Sequence, residues 1–415
     1  MNSYEGFETG ARDGRVAIRA PFRIAIAQYV AIIKYFNLLG ACSRFAALHA
    51  PDGGIMAGPM NVLLTGGTGF LGEYLLAELL ERGHSVWAMY RTESRKLDTI
   101  RFLGSQGLPR SAESLHWFKG EVSDADEEWP RWRRQYPGLE DVDTLVHSAA
   151  STRLHMDESG EPLKTNLGSA RALKRLMQRK PMKAHLISTA YVCGLVQGKL
   201  VKEVNHPPGD WLNVYEESKW EAEQLWMGQA TLLRPSIIVG HSETARCTSF
   251  TGWYILFQAA DMADRLMNDM PEDMRLDLRI NLPADPNGTT NIIPVDYAAK
   301  AAIRIIEKPE NHNKIYHLTN PNPPTHEWTY ELVKRRFKVG GLNFAGAGTP
   351  FTQPRNNVER MIWRQMQTIL LYFSNNPIFD RSNTDLSTPE LQVPPVTESY
   401  IHKLIDYAVE HDWGQ

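Results

Sequence analysis

From Asn61 to about Gly240, short apolar runs alternate with stretches in which apolar residues recur every three or four positions. The runs at 62–64, 85–89, 115–119, 144–147, 184–188 and 231–234 are too short for helices and read as strands. The stretch after the first run carries Leu71, Leu75, Leu76, Leu79 and Leu80 at helical spacing, and 163–180 and 215–227 also read as helices. Strands that alternate with helices predict an α/β fold with a doubly wound parallel sheet. Beyond Gly240 the alternation stops, and 241–290 and 321–400 hold most of the remaining prolines. Two elements look like a return to the core: a strand at 291–295 leading into a helix at 296–306, and a strand at 315–318. The pattern therefore predicts a doubly wound α/β domain over 60–240. A smaller lobe over 241–415 follows, mainly for substrate, with 291–320 rejoining the first domain.

The first 59 residues stand apart. Glu5, Glu8 and Asp13 argue against a signal or transit peptide, and the apolar stretch 21–48 is broken by Arg23, Gln28, Lys34, Asn37 and Arg44. No uninterrupted run approaches the roughly 20 residues that cross a bilayer. The expectation is an amphipathic helix that lies on the protein itself, on a partner, or peripherally on a membrane. Met60 would also serve as a start, which makes this leader an addition to the fold.

Composition narrows the field by exclusion. The 45 basic and 48 acidic residues leave a formal charge of −3, so nothing overall favours nucleic acid. Cys42, Cys193 and Cys247 show neither pairing nor metal spacing, which fits a reducing cytoplasm and no disulfide framework. The 13 histidines lack a metal-ligand pattern, and no metal is expected.

The chemistry begins where the first strand ends. Gly66, Gly69 and Gly72 space a turn that runs at once into a helix. Such a strand–turn–helix presents backbone N–H groups and a helix N-terminus to a dinucleotide pyrophosphate. Glycines alone mark any tight turn, but here the apolar run before and the leucine stripe after supply the required context. Farther on, Tyr215 and Lys219 lie one helical turn apart and share a face. An ammonium beside a phenol favours the phenolate, so the phenol's pKa is expected to fall and Tyr215 to act as a proton donor to a carbonyl. Ser188 and Thr189 stand at the carboxyl end of a strand, where either hydroxyl can donate to a developing oxyanion. The second strand is followed by Arg91 rather than an acidic residue, with Arg95 and Lys96 nearby, which favours the 2′-phosphate of NADPH.

The glycine turn, Ser-Thr-Ala-Tyr-Val at 188–192 and Tyr-x-x-Ser-Lys at 215–219 together resemble the extended short-chain dehydrogenase/reductase superfamily. The resemblance covers about 61–320 well and the rest loosely. Arg234-Pro-Ser-Ile-Ile-Val-Gly, the 291–296 stretch, Phe379-Asp380 and the closing Tyr407 and Trp413 are most similar to the male sterility-type branch of fatty acyl reductases and thioester reductase domains. It implies a Rossmann-type domain and a triad of Thr189 (with Ser188 as the alternate), Tyr215 and Lys219. Asn166 matches the family's helix asparagine that supports the lysine, its other reading being a cap or turn residue. The implied cofactor set is Gly66, Thr68, Gly69, Phe70, Leu71, Gly72, Arg91, Ser148, Lys219 and Pro235. Glu121 departs from the family's usual Gly-Asp near the adenine.

The expected activity is NADPH-dependent reduction of an acyl thioester, on coenzyme A or acyl carrier protein, to aldehyde or alcohol. The same residues would also serve a ketone or aldehyde reductase, or a nucleotide-sugar epimerase or dehydratase. A nucleotide-binding regulator without catalysis is a third class. Phe250, Trp253, Tyr254, Leu256, Phe257 and Met262 line an acyl channel or simply form core. Arg171, Lys174, Arg175, Arg179 and Lys180 face an acidic carrier or only solvent, and the amphipathic stretch 360–373 is open in the same way. Oligomeric state is left open by the sequence.

Overall fold

The computed structural model describes residues 58–108, 114–269, 280–282, 284–337, 342–344, 354–367, 369–373 and 375–414. The helix expected within 21–48 lies outside the described residues. The first half of the chain forms β1 (Asn61–Thr65), α1 (Phe70–Glu81), β2 (Ser85–Tyr90), α2 (Glu93–Ser105), β3 (Leu115–Lys119), α3 (Ala125–Gln135), β4 (Thr144–His147), α4 (Leu163–Arg179), β5 (Lys183–Ile187), β6 (Gln197–Val201), α5 (Val214–Trp226), β7 (Thr231–Pro235) and β8 (Ile237–Val239). The later part adds α6 (Tyr254–Asn268), β9 (Ile280–Leu282), β10 (Ile292–Pro294), α7 (Val295–Ile306), β11 (Ile315–Leu318), α8 (His326–Phe337), β12 (Leu342–Phe344), α9 (Asn357–Met366), α10 (Leu370–Phe373), β13 (Asn376–Phe379), α11 (Ser382–Ser387) and α12 (Glu398–Glu410).

Seven strands form one parallel sheet in the order β11-β7-β5-β4-β1-β2-β3. The order reverses direction at β1, whose two neighbours are β4 and β2, and ligands of open α/β sheets bind at the carboxyl ends beside such a switch. The period-2 alternation of β1 explains the layering. Val62 and Leu64 pack with α1, α2 and α7, while Leu63 packs on the other face with Trp129, Leu173 and Trp226. Both faces of the strand are buried, which is why the sequence shows an unbroken apolar run rather than an alternating one. Each fully buried leucine or valine there contributes roughly 1.5–3 kcal/mol.

The late part of the chain rejoins the core in two ways, and Ile293, Val295, Tyr316 and Leu318 pack in one cluster with Val62 and Leu64. β11 joins the large sheet beside β7, but 292–294 does not; it pairs with β8 in a separate two-stranded sheet, Ile292 opposite Ile237. Pro235 has no amide N–H to extend the ladder, and the chain leaves the large sheet there. Two further small parallel pairs form, β12 with β9 and β13 with β6. A third apolar cluster gathers Tyr254, Phe257, Ile362, Met366, Ile401, Leu404 and Trp413 beneath the late helices. Trp253, Tyr254, Leu256 and Phe257 are buried in it, with Phe250 and Met262 packed against it, so these residues serve as core. Among the described residues no helix is long and apolar enough to cross a membrane.

Candidate active site at the carboxyl ends of the strands

The glycine turn sits at the end of β1, beside the switch in strand order. Gly66 has φ of +74°, and a Cβ there would collide with the backbone of Ala149; a Cβ on Gly72 would collide with the carbonyl oxygen of Gly66. Gly69 opens α1 with extended backbone, and no side chain caps the first N–H groups of the helix. Uncapped donors and the positive end of the helix dipole are thus presented at a surface where side chains are excluded. That cradle fits a dinucleotide pyrophosphate. Thr68, Phe70 and Leu71 are half-buried around it, and Ser148, just past β4, donates its amide to Thr65 O at 3.1 Å. Pro235 closes β7 two strands away from β4.

Strand β5 and helix α5 carry further residues singled out in the sequence. Lys219 is buried, and its Nζ donates to Ile187 O at 2.7 Å, the last carbonyl of β5. This bond ties the helix directly to the residue before Ser188. The Thr189 hydroxyl accepts from Tyr191 N at 3.3 Å, capping the short turn that follows and leaving its own hydrogen to donate elsewhere. Ser188 Oγ is buried without a partner, although its backbone N–H donates to Leu233 O at 2.7 Å. Tyr215 is half-buried at the start of α5, and its hydroxyl makes no hydrogen bond among the described residues.

The electrostatics differ from the sequence expectation. Burial lowers Lys219 to a pKa of about 8, with Glu223 working weakly against it. Tyr215 is pushed up from its ordinary value, first by burial and then by the negative charge of Glu216. The expected lowering by the lysine is not what the buried phenol shows: desolvation and then the charge of Glu216 raise it. The phenol is held in its protonated, donor form. Nearby, His147 is lowered to about 3 by burial and by Lys219, so it stays neutral while sharing a 2.7 Å hydrogen bond with Thr65.

Asn166, buried on α4, accepts from Ser151 N at 2.8 Å and donates to Ser151 O at 3.0 Å and to Ser218 Oγ at 2.8 Å. It clips the loop after β4 to α5 through Ser218, the neighbour of Lys219. Arg91 follows β2 with its side chain 72% exposed and a guanidinium nitrogen 3.8 Å from Glu121. Glu121 also accepts from Val122 N at 3.1 Å. The basic face of α4 is largely engaged within the chain: Arg175 pairs with Asp126, Arg179 donates to Asp126 O, and Lys174 and Lys180 bond to Gln229 and Glu140. Among the described residues no group of His, Cys, Asp and Glu is arranged to hold a metal.

Two contacts could not be read from sequence. Arg246 reaches from the loop after β8 to Glu73 on α1, with Nη2 3.2 Å from the carboxylate and its guanidinium 4.1 Å over the Phe102 ring. On the other side, Tyr372 of α10 accepts from Asn213 Nδ2 at 2.8 Å and sets its ring edge-on to Tyr191 at 5.3 Å. Both join residues more than 150 positions apart, and no local pattern announces such pairs.

A family model described as male sterility protein matches residues 64–302, more than half of the chain. Among curated proteins, a linear gramicidin synthase of Brevibacillus parabrevis is 24% identical over 285 residues, 63% of this chain and 5% of that protein. Glycine betaine reductase of Emericella nidulans is 25% identical over 298 residues, 66% of this chain and 22% of that protein. The chain thus spans only a small share of these relatives' lengths. Among solved structures, the terminal R domain from the myxalamid PKS-NRPS biosynthetic pathway superposes with a TM-score of 0.65 at 21% identity, covering 87% of this chain and 93% of that one. That likeness is one of fold.

Proposed function

The chain belongs to the male sterility protein family, an extended short-chain dehydrogenase/reductase type of NAD(P)-binding oxidoreductase, and on that premise we propose that it is an NADPH-dependent reductase of acyl thioesters. The substrate would be carried on coenzyme A or on acyl carrier protein. The observation that supports this reading is the seating of Lys219 of α5 on the last carbonyl of β5, the strand that leads into Ser188 and Thr189. The similarity to a gramicidin synthase and to a glycine betaine reductase lends it support. Arg91, exposed at the end of β2, supports NADPH over NADH.

A bound nicotinamide supplies the hydride. The chain's own residues do the rest: the glycine turn and the start of α1 hold the pyrophosphate, and Lys219 holds the ribose. Thr189 donates to the carbonyl oxygen as negative charge develops on it. Tyr215 transfers its proton to the same oxygen. Breaking the C–S bond then returns a proton to the departing thiolate, so one hydride and one proton give an aldehyde and a free thiol. The reaction ends at the aldehyde or, where a second hydride follows by the same residues, at the alcohol. Cys193 and Cys247, unpaired and with burial raising both thiols, accord with a reducing, cytoplasmic setting.

The deciding experiment is NADPH oxidation by the wild type and by Tyr215→Phe against acyl-CoAs, acyl carrier proteins, ketones and aldehydes. Turnover of thioesters is expected, with kcat reduced about 10²–10⁴-fold in the variant. Turnover of ketones or aldehydes alone would move the protein to the carbonyl-reductase class. Full activity in Tyr215→Phe would end the assignment of the proton donor.

A further inference from the structure

Two stretches of the chain lead to the hydroxyls assigned to the reaction, 189–196 from Thr189 onward and 210–216 up to and past Tyr215, and they are tied to each other. Leu195 N donates to Asp210 O at 2.8 Å, and Trp211 Nε1 donates to Val192 O at 3.4 Å. Gly194 has φ of +70°, and a Cβ there would lie 2.9 Å from Asp210 O, so the close approach requires glycine.

Tyr372, from the late part of the chain, touches both stretches at once. Its ring stands edge-on to Tyr191, two residues past Thr189, with 5.3 Å between centroids, and Phe379 flanks the same Tyr191 at 5.7 Å. Its hydroxyl accepts from Asn213 Nδ2 at 2.8 Å, two residues before Tyr215. Asn213 is the N-cap of α5, and its Oδ1 accepts from Glu216 N at 3.0 Å. Capping uses only that oxygen, and serine or aspartate would supply one as well. What asparagine adds is an amide donor, and here the donor goes to Tyr372. Tyr215 is the second residue of the capped helix, so the cap sets the backbone that presents the phenol. A phenylalanine at 372 would pack against the apolar cluster of Tyr191, Val201 and Phe379 just as well, but it could not accept from the cap. Three residues on, Asn375 reinforces the first stretch, accepting from Val196 N at 2.8 Å and donating to Gly194 O at 3.2 Å.

We propose that Tyr372 is a positioning residue: through Asn213 on one side and Tyr191 on the other, it holds Tyr215 and Thr189 in a fixed relation, given the roles proposed for them above. The test uses the full chain as Tyr372→Phe, Asn213→Ser and the double variant, since serine keeps the cap and lacks the donor. Hydrogen–deuterium exchange needs no substrate, and amides within 190–196 and 214–217 should exchange about threefold faster or more in Tyr372→Phe, while β1 and β4 exchange as in the wild type. With a substrate that the wild type turns over, each single variant should lose about tenfold in kcat, while Kd for NADPH, read by protein fluorescence, stays within about twofold. The double variant should be no slower than either single one, because both remove the same hydrogen bond. Unchanged exchange in both stretches overturns the inference. So does an unchanged kcat, a loss that multiplies in the double variant, or a parallel loss of NADPH affinity. Should Tyr372→Phe fail to fold, Asn213→Ser carries the same readings alone. Full activity in Tyr215→Phe would instead sink the proposed function and leave the exchange result standing, so the two failures are distinct.

Discussion

Ser188 and Thr189 are adjacent hydroxyls at the end of one strand, and the structure treats them differently. Thr189 caps the following turn and keeps a hydrogen to donate, whereas Ser188 Oγ is enclosed without a partner. Thr189→Ala is expected to lower kcat about 10²–10³-fold, the range for one oxyanion donor. Ser188→Ala removes an unsatisfied buried hydroxyl, so steady-state kinetics should barely change and thermal unfolding should be unmoved or shifted upward. The reverse ranking would exchange the two roles. At this scale the sequence was informative wherever sterics or spacing dictate the residue: the glycines of the turn, and Tyr215 and Lys219 one turn apart. The charge state of the phenol was not legible. It depends on how far the phenol is desolvated and on the charge of Glu216, and the burial that decides both is a property of the folded chain.

At the scale of elements, the orientation of α5 rests on a buried ion pair. Arg234 of β7 donates to both oxygens of Glu223 on α5, at 3.0 and 2.7 Å, and the two side chains are 0% and 2% exposed. Glu223→Gln would strand a guanidinium in the interior, and the loss is expected to be about 3–5 kcal/mol. Differential scanning calorimetry reads it, and a shift no larger than that of a surface substitution would contradict the account. Elements with both faces buried were legible as apolar runs, and β11 was found in the same way. The pair β6 and β13 was not. Residues 197–200 are exposed and include a glycine, so they carry neither an apolar run nor an alternation, and only their partner makes them a strand.

Among the described residues, the glycine turn touches more than one part of the fold. Helices α1 and α7 pack on one face of the sheet, and Arg246 ties the loop after β8 to the first turns of α1. Occupancy of the cradle should therefore stabilise the entire folded body. NADPH at 100 times its Kd would add about 2.7 kcal/mol. Thermal unfolding with NADPH and NADH, in the wild type and in Arg91→Ala, checks both the linkage and the choice of cofactor. The upward shift with NADPH should shrink in the variant, and the smaller shift with NADH should stay as it was. Equal shifts with the two cofactors in the wild type would remove Arg91 from any selective role.

The pairing of β6 with β13 also bears on how this architecture is exchanged between proteins. The five residues of β6 lie between Thr189 and Tyr215 in the chain, yet their strand partner is contributed nearly 180 positions later, and Asn375 anchors the same stretch through Val196 N and Gly194 O. The late part of the chain is thus not a self-contained cassette that begins at residue 240. The unit of inheritance includes an island embedded in the nucleotide-binding half, and recombination that respects only the linear boundary would separate a strand from its mate.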